Sequence, residues 1–122
     1  MKNLILIGIG GGIGAAARYH LGSAILSMTV GWRFPLHTFV VNVLGCFIAG
    51  LLTGLTERYF SSPDLRLFLF TGLLGGFTTF SAFGLETVAL FQRHAPSVAV
   101  ANVAASTLAS LFALWLGLKT IP

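Results

Sequence analysis

Four stretches of roughly 20 apolar residues dominate this 122-residue chain. Hydrocarbon offers no water to backbone N–H and C=O groups, so a stretch of that length crosses a bilayer as a helix. The stretches run from about Leu4 to Leu26, Leu36 to Thr56, Leu65 to Phe91 and Ser97 to Leu118. Turn and charge signals separate them: Gly31-Trp32-Arg33-Phe34-Pro35, then Glu57-Arg58 through Ser61-Ser62-Pro63-Asp64, then Gln92-Arg93-His94-Ala95-Pro96. Trp32, Tyr59 and Trp115 fall near the expected ends, where amphipathic rings favour the interface. The expected fold is one all-α, four-helix domain in the plasma membrane, crossing it several times.

Composition narrows the function classes. Only 8% of residues are charged, against about a quarter in a soluble domain. The net charge of +4 comes from seven Lys and Arg against three Asp and Glu, with no basic stripe to follow a phosphate backbone. That argues against nucleic acid as a partner. The single cysteine, Cys46, excludes an internal disulfide and makes no metal site alone. Lys2, the run Leu4 to Ile13 and the small residues Ala15 to Ala17 imitate a signal peptide. Three further apolar stretches would hold the product in the membrane regardless. Gly12 to Ala17 matches a dinucleotide fingerprint formally, but the strand–turn–helix context and the following acid are missing. The three histidines are scattered, and no enzyme signature is present.

Glycines recur at four-residue spacing: Gly8/Gly12, Gly10/Gly14 and Gly50/Gly54, with Gly45/Ala49 a small-residue variant. Such pairs let helix backbones approach closely in lipid, either within a subunit or between two. Four helices enclose little alone, so transport by this chain implies a homodimer. The side holding both termini carries Lys2, Arg58, Arg66 and Lys119, and the opposite side Arg33, Arg93 and, if the first helix ends early, Arg18. So even a count gives almost no positive-inside preference and permits insertion in both orientations, hence an antiparallel dimer.

The third stretch contains GLLGGFTTFSAFGLE, residues 72–86, at bilayer depth. Gly75 and Gly76 weaken a helix, and Phe77, Thr78 and Thr79 do little to support one. A break there frees carbonyls that suit a hard cation such as Na⁺; the alternative is a mild kink with threonine hydroxyls bonded to the preceding turn. Phe80 and Phe83 share a face and are either core or ring edges offered to an anion, with Ser81 between them. Asn42 either glues helices or lends amide donors to an anion. Ser106 and Ser110 stand one turn apart with Thr107 beside them. Arg18 and Glu86 either snorkel from helix ends or line a vestibule.

On these residues the chain resembles the Fluc (CrcB-like) family of fluoride channels along essentially its whole length. The resemblance rests on Gly12-Ile13-Gly14-Ala15 with Arg18-Tyr19, on His37-Thr38-Phe39-Val40-Val41-Asn42-Val43-Leu44-Gly45, and above all on Gly75-Gly76-Phe77-Thr78-Thr79-Phe80-Ser81-Ala82-Phe83. It implies a dual-topology antiparallel homodimer with two pores, passing fluoride passively out of the cell and excluding chloride. Asn42, Phe80, Ser81, Phe83, Ser106 and Ser110 would line the pore, with Arg18 and Glu86 in its vestibule. Gly75 and Thr78 would give backbone carbonyls to a structural Na⁺ at the dimer centre. Ala82 stands where the family's block usually has threonine and Leu114 where some relatives carry one, so the resemblance implies a hydroxyl track shorter at its far end. A proton-coupled exporter of lipophilic cations is the competing class, but it needs a carboxylate in the first helix, and residues 4–26 hold none. A structural subunit without transport would leave the polar run unexplained.

Overall fold

The computed structural model describes residues 1–60 and 62–122 and places helices over all four apolar stretches. α1 is Lys2–Met28 and α2 is Leu36–Arg58. The third span, Pro63–Gln92, is interrupted: α3 occupies residues 63–77 and α4 is Phe80–Gln92. α5 is Pro96–Thr120. Ser61, in the expected second connection, lies outside the described residues. Its neighbour Ser62 caps α3 by accepting the Leu65 N–H at 3.3 Å, and Pro63 fills the first turn, where its missing N–H costs nothing. Between α1 and α2, Gly31 takes φ 86° in a turn where the Trp32 N–H donates to the Thr29 carbonyl at 3.0 Å.

Two parallel helix pairs make up the bundle, α1 with α3 and α2 with α5. Glycine makes both possible. A Cβ at Gly10 would lie 2.7 Å from the Phe68 carbonyl oxygen and 2.9 Å from the Leu73 nitrogen. At Gly14 it would overlap the Leu73 carbonyl oxygen and sit 2.9 Å from the Phe77 nitrogen. Gly76 faces back from α3, where a Cβ would overlap the Gly11 carbonyl. In the second pair, Gly50 presses on the Leu114 carbonyl and Gly117 on that of Phe47. Residue numbers rise together along both partners, as alternation of four spans requires. Backbone contact of this kind replaces the hydrophobic effect, which drives nothing between helices already in hydrocarbon.

The spacing left open whether the glycine pairs work within or between subunits. Gly10/Gly14 and Gly50/Gly54 work within, Gly54 against the Ile121 side chain, whereas Gly8 and Gly12 have nothing within 4 Å and face outward. α1 packs on α2 along one seam, and α4 folds back on α5 as an antiparallel hairpin, burying Leu90, Ala95 and Ala99 together. At the terminal end, Lys2 Nζ meets Asp64 Oδ2 at 2.9 Å, and Arg66 Nη1 donates to Thr56 Oγ1 at 2.9 Å.

Arg18 departs from the charge count. α1 continues to Met28, so Arg18 lies about 15 Å inside the helix rather than at its end. Arg33 and Arg93 are then the cations of the far end, facing Lys2, Arg58, Arg66 and Lys119. The bias remains small.

Gly14→Val is expected to force α1 from α3 and to lower stability by about 1–3 kcal/mol, as overpacking does. Gly22→Ala, where a Cβ meets nothing within 4 Å, is expected to stay within about 0.5 kcal/mol of the parent. Thermal denaturation in detergent checks both.

Candidate functional site

The third span breaks at its middle, but not at the glycines. Gly75–Phe77 still forms a helical turn, with Gly75 at φ −60° and ψ −36°. The chain leaves the helix at Thr78 (φ −83°, ψ 153°) and Thr79 (φ −147°, ψ 116°), residues whose β-branching favours extended backbone. Glycine serves contact with α1 there instead. Before it, Leu67–Leu74 winds as a π-helix, a form that often accompanies functional sites. The expected back-bonding coexists with the break: the Thr78 N–H and hydroxyl both donate to the Leu74 carbonyl at 2.9 Å.

A broken helix in hydrocarbon needs partners for its freed backbone, and α2 supplies them. Asn42 Nδ2 donates to the Thr79 carbonyl at 2.9 Å, and Asn42 Oδ1 accepts the Thr79 N–H at 2.8 Å. One side chain thus treats Thr79 as a neighbouring strand would. Gly45, one turn along α2, has no side chain, so Phe77 and Thr78 fit against it. The Thr79 hydroxyl accepts the Ala82 N–H at 3.2 Å and caps α4. Arg18 Nε donates to the Gly76 carbonyl at 3.1 Å, so this guanidinium is anchored to the break. The helical donors for the Gly75 and Thr78 carbonyls would be the Thr79 and Ala82 N–H groups. Both are bound elsewhere.

Openings flank the break. On one side a cavity of about 340 Å³ is lined by Asn42, Cys46, Thr78, Thr79, Phe80, Phe83, Ser106, Thr107, Ser110 and Leu111. The Phe80 and Phe83 ring centroids are 5.4 Å apart, tilted by 42°, and Phe80 is 83% exposed. The structure therefore gathers Asn42, Phe80, Phe83, Ser106 and Ser110 on one wall. Ser81 is not in it; its hydroxyl lies exposed, 3.2 Å from Thr79 Oγ1. On the other side a groove of about 250 Å³ brings Arg18 and Glu86 together with His37, Thr38 and Thr79. Glu86 Oε1 accepts from the Thr38 hydroxyl at 2.6 Å and lies 3.1 Å from His37 Nε2. Its Oε2 is buried without a hydrogen-bond partner among the described residues.

Sequence reasoning missed three contributors. His37 stands apart from the other histidines in sequence, yet it faces Glu86 across 49 positions, which no local spacing reveals. Asn102, 1% exposed, donates from Nδ2 to Thr87 Oγ1 at 3.0 Å and accepts from Ser106 at 3.1 Å. A signal existed for Asn102, because Asn102, Ser106 and Ser110 form one row at four-residue spacing. Thr87 alone gave none.

A span broken at mid-membrane, with its backbone held by side chains and polar openings on both sides, defines a multi-pass membrane protein of the channel and transporter class. The chain belongs to the CrcB-like protein (camphor resistance) family, whose profile matches residues 5–118. It is 47% identical to a fluoride-specific ion channel FluC from Methylobacillus flagellatus over 122 residues, covering 99% of this chain and 95% of that one. Channels of the same name from Solibacter usitatus and Chelativorans sp. are 50% and 47% identical over 114 and 119 residues, covering 93% and 97% of this chain and 93% and 94% of their own.

Asn42→Leu would leave the Thr79 N–H and carbonyl unpaired in hydrocarbon, at about 1–3 kcal/mol for each buried group. Asn42→Asp keeps the acceptor but sets a second oxygen and a charge against the Thr79 carbonyl. It is expected to lose at least as much at neutral pH and less in acid, where the protonated carboxyl restores the donor. Urea-free thermal melts of the two purified variants, compared with the parent, measure the difference.

Proposed function

We propose that this chain forms a fluoride-selective channel of the plasma membrane, through which fluoride leaves the cell down its gradient. It is an ion channel and not an enzyme. The observation that carries the reading is the composition of the cavity wall. It offers an amide, hydroxyls and paired phenylalanine rings, and no charged side chain. Fluoride is small and strongly hydrated, so entry demands close donors in place of water. Passage rather than capture demands that each donor be modest. One N–H of Asn42 holds Thr79 and the other is left for the cavity. Ser110 adds a hydroxyl, and the ring edges of Phe80 and Phe83 carry the positive part of their quadrupoles. The similarity to proteins named as fluoride-specific channels, over nearly the whole chain, supports the same reading.

The functional unit in this reading is an antiparallel, dual-topology homodimer. A phenylalanine 83% exposed beside an open cavity leaves the wall incomplete in one subunit, and a second copy would close it. The small difference in cationic residues between the two ends lets the chain insert either way. A structural Na⁺ at the dimer centre fits the Gly75 and Thr78 carbonyls. They are neutral oxygens, their helical donors are diverted, and Gly75 lies on the subunit surface. Bound there, the cation would tie two breaks together. Proton-coupled export of lipophilic cations loses ground, since α1 carries no acid and the acid of α4, Glu86, lies against Thr38 and His37.

Liposomes holding the purified protein are expected to lose fluoride and retain chloride, with Phe80→Ile slowing fluoride loss at least tenfold. Folded dimers without fluoride flux would refute the reading. Glu86→Gln is expected to leave most of the flux, whereas a proton-coupled exporter would lose all of it. Preparation without Na⁺ is expected to reduce flux and dimer stability together, both returning when Na⁺ is added.

A further inference from the structure

We propose that Asn102 is a positioning residue of the channel, holding the proton of Ser106 away from the cavity until an anion competes for it. The inference rests on the fluoride-channel reading above. Asn102 is itself outside the cavity wall and almost wholly buried, whereas Ser106 is part of that wall. Behind the wall runs a chain of three hydrogen bonds: Ser106 to Asn102 at 3.1 Å, Asn102 to Thr87 at 3.0 Å, and Thr87 to the Phe83 carbonyl at 2.7 Å.

The direction of every bond follows from the last. A carbonyl oxygen only accepts, so the Thr87 hydroxyl donates to Phe83. Its lone pairs then face Asn102, which must answer with Nδ2–H. A reversed amide would set oxygen against oxygen there. With Nδ2 fixed, Oδ1 faces Ser106, and Ser106 must donate to it. The wall therefore meets the cavity at Ser106 with lone pairs, which repel an anion. Fluoride gains the Ser106 proton only if the hydroxyl turns and gives up Asn102. The site is weakened by one hydrogen bond and releases its ion sooner, as a conducting site must. The same chain ends on the turn carrying Phe83, so it also fixes the backbone beneath that ring.

Thr87→Val, close to isosteric, removes the acceptor that orients the amide. The amide can then offer Nδ2 to Ser106 and free its proton for the cavity. Half-saturation of fluoride efflux from liposomes is expected to fall about fivefold, the equivalent of one neutral hydrogen bond, with slower flux at saturation. Thr87→Ser should behave as the parent. Asn102→Leu should repeat the Thr87→Val shift, and in a Ser106→Ala background neither substitution should move half-saturation. A shift that persists without the Ser106 hydroxyl, or no shift in Thr87→Val, overturns the proposal and leaves the channel reading standing. Parent liposomes that pass no fluoride overturn both.

Discussion

An interrupted helix in a bilayer is a problem of unpaired backbone, and the pairing of Asn42 with Thr79 is the answer on which the rest of this structure depends. Each unpaired N–H or carbonyl in hydrocarbon carries a desolvation cost that no water relieves. A helix opened at mid-span would close again or fail to insert without a substitute partner. Asn42 provides a donor and an acceptor on one planar group, matching the two backbone groups of an extended residue. Arg18 and the Thr79 hydroxyl take up two further groups. The carbonyls of Gly75 and Thr78 are thereby denied their helical donors, and the turn bearing Phe80 and Phe83 is aimed into the cavity.

That grip works only if α2 and α1 come very close to the third span. Gly45 lets α2 reach the break, and Gly10, Gly14 and Gly76 let α1 brace the segment before it. Small residues here serve geometry rather than flexibility. The helical turn at Gly75–Phe77 shows this, since the residues with the poorest helix propensity stay helical and the threonines after them do not. Contact with α1 overrides propensity, while the extended backbone of Thr79 is held by a side chain from another helix.

Polar groups in the membrane fall into two sets around the break. One is neutral, lining the cavity with Asn42, Ser106, Ser110 and the two rings. The other is ionisable and gathers Arg18, His37 and Glu86 in the opposite groove. Thr79 belongs to both walls. The neutral wall and the ionisable groove thus meet at one residue of the break. Part of this division was legible beforehand: Asn42, Phe80, Phe83, Ser106 and Ser110 stand out as polar or aromatic residues at bilayer depth, and the structure gathers them. Ser81 stood out equally but points elsewhere, because a residue between two on one helix face occupies another.

By itself the sequence determined the four spans, their turns, the near-absence of charge within them and a weak point at residues 75–79, which it left open as a break or a kink. Those follow from hydropathy, length and local propensity, each carried by a short window of chain. The tertiary structure alone decided where the helix opens and what each polar side chain does. Asn42 meets Thr79 across 37 positions and Arg18 meets Gly76 across 58, while His37 finds Glu86 and Asn102 finds Thr87 on neighbouring helices. The physical reason is that a hydrogen bond in lipid is chosen by which helices pack together, and packing here is set by glycines whose partners lie on other spans.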